Sequence, residues 1–177
     1  MKSTSLTHEQ IEALVKDDYI IKELSKISLT LTHKKCNTSS IYEISKFMNG
    51  TRCPVCAAQK AEAFIEDYLT QKGIAFKRPY IYPISDYSSQ YALLKEDHVV
   101  GVIDLNFIFK GVAPEKEEKG FWKIQLEKMD KKEYCLQNKI LYIPISSADL
   151  NYVKDSLDKR SQFFEQICKL DNIKKDS

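Results

Sequence analysis

The chain of 177 residues has no apolar run of about eighteen residues or more, so no segment reads as a transmembrane helix. Its opening stretch, MKSTSLTHEQIEALVKDDY, is polar and acidic and lacks the apolar core of a secretory signal. There is little net charge, +2 at pH 7, so no polyelectrolyte argument applies and any nucleic-acid surface has to be a local patch. No internal repeat and no low-complexity segment occurs. The chain holds 5 cysteines. Without a secretory signal they point to metal ligands or free thiols rather than disulfides. These absences set the expectation of a cytoplasmic protein in a reducing compartment, with no membrane partner. What is present is a hydrophobic fraction of 43% and a charged fraction of 29%. That suits one domain, or one domain with a small appendage.

Periodicity places a short helix over 9–16 and strands over 19–24 and 28–33. In the second strand Leu29 and Leu31 face one way and Ser28, Thr30 and Thr32 the other. A third strand is expected over 41–44, and Asn49-Gly50 marks a turn. A helix is expected from Pro54 to about Lys72. Pro54 suits a first turn, Gly73 a stop, and Ala61, Phe64, Ile65, Tyr68 and Leu69 an apolar stripe. Further strands are expected over 76–82, 99–109, 121–127 and 139–145, with a helix over 130–137 between the last two. APEKEEKG (113–120) reads as a charged loop. From Ala148 the chain reads as helical, with Leu150, Val153, Leu157, Phe164 and Ile167 buried and the tail after Leu170 frayed.

The most specific signal is His33-Lys-Lys-Cys36 followed by Cys53-Pro-Val-Cys56. Two ligands three residues apart can reach one ion from a tight turn, and two such pairs fill a tetrahedral zinc site. The first pair ends a strand and the second opens a helix, whose N-terminal partial charge favours thiolate, as does Arg52. Four protein ligands leave no open position, which makes the Zn2+ structural rather than catalytic. Without a metal, the same four residues would be ordinary buried side chains, and another group in place of His33 would complete the site equally well. His8 and His98 have no partner spacing. Cys135 and Cys168 read as small apolar residues.

The stretch DDYIIKELSKISLTLTHKKC…ISKFMNGTRCPVC…AEAFIEDYL resembles treble-clef zinc fingers fused to small endonuclease domains of phages and mobile elements. The chain beyond the finger is similar to the very-short-patch-repair-like branch of the PD-(D/E)xK nucleases. The resemblance implies an α+β fold, with a small treble-clef finger packed on a restriction-endonuclease-like mixed sheet with flanking helices. It implies a finger region over 1–57 and a nuclease-like domain over 58–177. It also implies an acidic metal site. Glu62 matches the helix carboxylate, and Asp104, in GVIDLNF, matches the strand aspartate. In the expected next strand, FWKIQLEKMD, Gln125 and Glu127 stand where the family has Glu and Asp. The family's His-bearing loop is missing, and its Lys partner would have to be Lys123 or Lys132. Glu62, Asp104 and Glu127 would hold Mg2+ and activate water for phosphodiester cleavage. Gln125 removes one negative charge from that set.

Plainer readings sit beside these. Glu62 fits a structural salt bridge as well as a metal site. Gln125 and Glu127 fit an exposed strand face. Asp104 lies inside an apolar run, where an unpaired carboxylate is costly to bury. Two functions suit these residues. One is a metal-dependent DNA endonuclease. The other, which is favoured, is a non-catalytic descendant that binds and blocks a bacterial defence nuclease, such as a CRISPR effector, in the manner of zinc-containing anti-CRISPR proteins. For a nucleic-acid partner the contact candidates are Lys34, Lys35, Lys46 and Arg52, or Lys77 and Arg78 with Tyr80 and Tyr82. The acidic loop 115–118 would favour a protein partner.

Overall fold

Thr7 starts the first helix with a reciprocal capping box. Its side chain accepts from the Gln10 backbone N–H, and the Gln10 side chain accepts from the Thr7 backbone. The computed structural model describes residues 7–114 and 121–166. The expected acidic loop 115–118, Ile167, Cys168 and the tail after Leu170 lie outside the described residues. The fold is α+β and divides into two units. No helix among the described residues is long and apolar enough to cross a membrane.

The first unit takes in Met1–Ala57 and Phe109–Glu118. Helix α1 (His8–Val15) precedes strands β1 (Tyr19–Leu24), β2 (Ser28–His33) and β3 (Thr38–Glu43), and then helix α2 (Ile44–Met48). The strands pair antiparallel in the order β1-β2-β3. Strand β3 begins earlier than its apolar residues suggest, because the β2–β3 connection is tight. Asn37 adopts a positive φ of 53° and its N–H bonds the His33 carbonyl at 2.8 Å. Polar Thr38 and Ser39 are thereby drawn into register with His33 and Thr32. Ile11, Val15, Tyr19, Leu29, Leu31, Tyr42, Phe47 and Cys53 form the core of this unit.

Helix α3 (Pro54–Gln71) begins in the first unit and continues into the second. It ends in a Schellman arrangement, in which Gly73 takes φ 68° and the Ile74 N–H reaches the Leu69 carbonyl at 2.9 Å. Then come β4 (Ala75–Lys77), β5 (Tyr80–Ile81), β6 (Ser88–Ser89), β7 (Tyr91–Lys95) and β8 (His98–Leu105). After β8 the chain supplies β9 (Val112–Pro114), a fourth strand for the first unit's sheet beside β3. It then forms α4 (Phe121–Gln137), β10 (Leu141–Ile145) and α5 (Leu150–Asp158), with a further helical segment over 161–166. The second unit's sheet runs β10-β8-β7-β4. Strands β10 and β8 are parallel and the other pairs antiparallel.

Side chains alternate across this sheet. Tyr91, Leu93, Ile103, Ile143 and Ile145 turn to one face, against Ala61, Ile65 and Leu69 of α3 and Val153, Leu157 and Phe164. Ala92 and Val102 turn to the other face, against Cys135 of α4, Tyr80 and Tyr82. Leu150, expected in the buried set, is 42% exposed.

The strand expected over 121–127 does not form. Those residues are the first half of α4. Ile124 and Leu126 imitate strand alternation, yet Leu126 is exposed. The inward positions are Ile124, Glu127, Lys131 and Cys135, which is helical spacing. A lysine at the buried centre hid that period from a hydrophobicity reading. Gln125 and Glu127 therefore share no face, since two helical steps separate them by about 200°.

Candidate metal centre

The turn after β2 and the turn into α3 bring four donors together. His33 Nδ1 lies 3.3 Å from Cys36 Sγ and 3.4 Å from Cys56 Sγ, and Cys36 Sγ lies 3.5 Å from Cys53 Sγ. All four ligand atoms fall within 4.8 Å of one another. Zinc–sulfur bonds of about 2.3 Å and zinc–nitrogen bonds of about 2.0 Å give tetrahedron edges of roughly 3.5–3.8 Å. The close pairs, at 3.3–3.5 Å, lie slightly inside such edges and the widest separation, within 4.8 Å, outside them, so the four donors converge closely enough to surround one metal ion. Among the described residues this is the one group of three or more His, Cys, Asp or Glu side chains close enough to hold a metal ion.

The electrostatics fit the same ion. Burial opposes ionisation of Cys36, but hydrogen bonds from Thr38 and His33 outweigh it and bring the thiol down to about 6. Burial, reinforced by Cys36 beside it, lifts Cys53 to about 11. A thiophilic divalent ion among these donors would supply the positive charge that lets Cys36 and Cys53 both ionise.

Tyr19 braces the centre. Its ring tilts against His33 at 4.9 Å between centroids, and its hydroxyl accepts the Cys53 backbone N–H at 2.9 Å. Pro54 follows with no N–H to satisfy, and Cys53 O caps α3 through the Ala57 N–H at 3.1 Å. Arg52 does not serve the thiolates directly. Its guanidinium donates to the Phe47 and Thr51 carbonyls and lies over the Phe47 ring. Tyr19→Phe strands a buried N–H at the turn, so thermal denaturation of the zinc-loaded protein should show a loss of about 1–3 kcal/mol. An unchanged midpoint would remove Tyr19 from this role.

The residues expected to form a nuclease site separate into two groups. Glu62, on α3, is held with Glu66 by Arg78. The Arg78–Glu62 contact is 3.0 Å, and the Arg78–Glu66 contact is also made. Asp104, only 3% exposed, lies on the α4 side of β8. Its Oδ1 accepts from Lys131 Nζ at 3.0 Å and from Ser89 Oγ at 3.0 Å. Its Oδ2 accepts from the Tyr142 hydroxyl at 2.6 Å. Lys131 Nζ also meets Glu127 Oε1 at 2.8 Å. The cationic partner of Asp104 is thus Lys131, while Lys123 and Lys132 are exposed. Sequence reasoning missed Lys131, although its spacing of four from Glu127 on a helix was a usable signal. Tyr142 and Tyr82 are both pushed up by burial, so they stay neutral and act as hydroxyl donors.

Comparison of the chain with family models, with curated proteins and with solved structures finds no match.

Of the contact candidates, Lys34, Lys35, Lys46 and Arg52 are exposed. Tyr80 and Tyr82 are buried, at 7% and 1% exposure, and present no stacking face to a single strand. Arg78 is engaged by Glu62 and Glu66.

Proposed function

We propose that this chain is a zinc-clipped binding protein without catalytic chemistry of its own. One observation carries the reading. The Lys131 ammonium sits between Asp104 and Glu127, where a divalent cation would have to be held by oxygen ligands. Glu62 is committed to Arg78 instead. The finger's donors converge while the acidic residues are spent on internal ion pairs, as a scaffold kept for its surface would arrange them. The mixed sheet with flanking helices agrees with a nuclease-like ancestry. That resemblance names the partner class: a bacterial defence nuclease of the CRISPR-effector type, whose DNA binding or cleavage the chain would block inside the host cell.

The test uses the zinc-loaded protein with single- and double-stranded DNA in magnesium or manganese. No cleavage is expected, and inhibition should appear when the protein is added to CRISPR effector nucleases. Metal-dependent cleavage abolished by Asp104→Asn would replace this reading with the endonuclease one.

A further inference from the structure

We propose that the groove between the β5–β6 loop and α4 binds a primary ammonium carried on an aliphatic stem, the chemistry shared by a lysine side chain and a free aliphatic diamine. The inference stands apart from the proposed function. Both walls of the groove belong to the second unit. It encloses about 340 Å³, at the small end of the range of ligand pockets. Ile84, Ser85 and Tyr87 line it from the loop, and Asp130, Glu133, Tyr134 and Gln137 from the helix. Steps of three and four residues put those helix positions on one stripe. The walls are held in place without a ligand. The Tyr82 N–H donates to the Tyr87 carbonyl at 3.0 Å, and the Ser85 N–H to the Tyr82 carbonyl at 3.3 Å. The Tyr87 hydroxyl ties the loop to the helix through Asp130 Oδ2 at 3.3 Å. The Tyr134 ring is set edge-on to buried Tyr82, 5.5 Å between centroids. A site formed before its ligand arrives loses less freedom on binding.

The chemistry of the lining identifies the ligand. Asp130 and Glu133 are exposed carboxylates one helical turn apart. Among the described residues neither forms an ion pair. Their hydrogen-bond donors are neutral: Tyr87 for Asp130, and Gln137 Nε2 for Glu133 Oε1 at 3.1 Å. The negative charge of the groove therefore calls for a cation from outside. An ammonium has three N–H donors and can reach both carboxylates. A bare divalent ion asks for six or more oxygen ligands. Among the described residues no third carboxylate joins these two in a cluster that could hold a metal. A bare ion would also leave the rest of the lining unused. Ile84, 59% exposed, and the two tyrosines offer apolar surface along which an aliphatic stem can lie, as lysine stems do elsewhere. A ring face adds cation–π attraction near the charged end.

Backbone-amide NMR titration of the zinc-loaded full chain, at matched ionic strength, decides the matter. The probes are Nα-acetyl-lysine N-methylamide, cadaverine, methylammonium and n-pentanol. The first two should shift the amides of Tyr87, Asp130, Glu133 and Gln137 with a Kd of about 1 mM, as a few exposed contacts support. A tighter fit for the blocked lysine marks a lysine borne by a protein as the natural ligand, and a tighter fit for cadaverine marks a free diamine. Methylammonium, which lacks the stem, should bind at least about tenfold more weakly, since each buried methylene contributes several-fold. The neutral alcohol should leave these amides in place. Asp130→Asn combined with Glu133→Gln keeps the shape of the groove and removes its charge, and should raise the Kd by about tenfold or more. No shift at about 10 mM of either stemmed ammonium, equal binding of methylammonium or pentanol, or an unchanged Kd in the double variant would overturn the proposal.

Discussion

Cys53→Ser should strip the chain of zinc and unfold the first unit. Among the described residues the core of that unit is eight buried side chains, and Cys53 is one of them, joined through its N–H to Tyr19. A core this small falls short of independent stability without a metal or another staple. Structural zinc in finger peptides supplies roughly 10–16 kcal/mol at neutral pH, and that binding energy is folding energy. Hydrogen exchange should therefore show the amides of Leu29, Leu31 and Tyr42 losing protection in the variant, and likewise in wild type treated with a strong chelator. Lowering the pH should reproduce the effect, because protons compete with the ion for its sulfur and nitrogen ligands. If protection persists in the variant, the strands hold themselves together and the metal is incidental.

Breaking the second unit's ion pair should have the next largest effect. Asp104 and Lys131 are 3% and 5% exposed, and each neutralises the other. Asp104→Ala leaves the ammonium with Glu127 as its remaining carboxylate and leaves the Ser89 and Tyr142 hydroxyls without their acceptor. Removing one member of a buried pair costs about 3–5 kcal/mol. Replacing both, as Asp104→Leu with Lys131→Met, should recover most of that loss, since apolar residues of similar volume substitute well for buried pairs. Urea denaturation compares the three proteins, and a double variant as unstable as the single one would mean the pair does more than neutralise charge. The pH dependence has a definite sign. Burial alone would lower the Lys131 pKa, but its bonds to Glu127 and Asp104 outweigh burial and raise it. Stability from a raised lysine is complete below the ordinary lysine value and drains away as pH climbs through the higher one, so the loss belongs to the alkaline limb.

The two halves of the chain were unequally legible. The convergence of His33, Cys36, Cys53 and Cys56 was readable because a His/Cys metal site needs residue types and spacings that little else requires, and because strand β2 alternates cleanly up to His33. Helix α3 announced itself through Pro54, its apolar stripe and Gly73. Helix α4 did not. Its buried centre is a lysine and its exposed face carries Leu126, Met129 and Leu136, so hydrophobicity pointed outward. Strand β7, YALLK, received no assignment. It is short, nearly all apolar and central in its sheet, and such runs carry no period of their own. The partners of Asp104 come from β6, α4 and β10, and sequence separation concealed all three. Reading Asp104 as a carboxylate that needs partners was sound physics, but choosing a metal ion over a lysine required the fold.

X-ray absorption at the zinc edge of protein purified without added metal is the sharpest test of the zinc clip. One zinc per chain is expected, with three sulfur neighbours at about 2.3 Å and one nitrogen at about 2.0 Å. The nitrogen should disappear from the shell in His33→Ala. A shell of oxygen neighbours, a sulfur count that Cys36→Ser leaves unchanged, or no bound zinc at all would contradict the four-ligand centre.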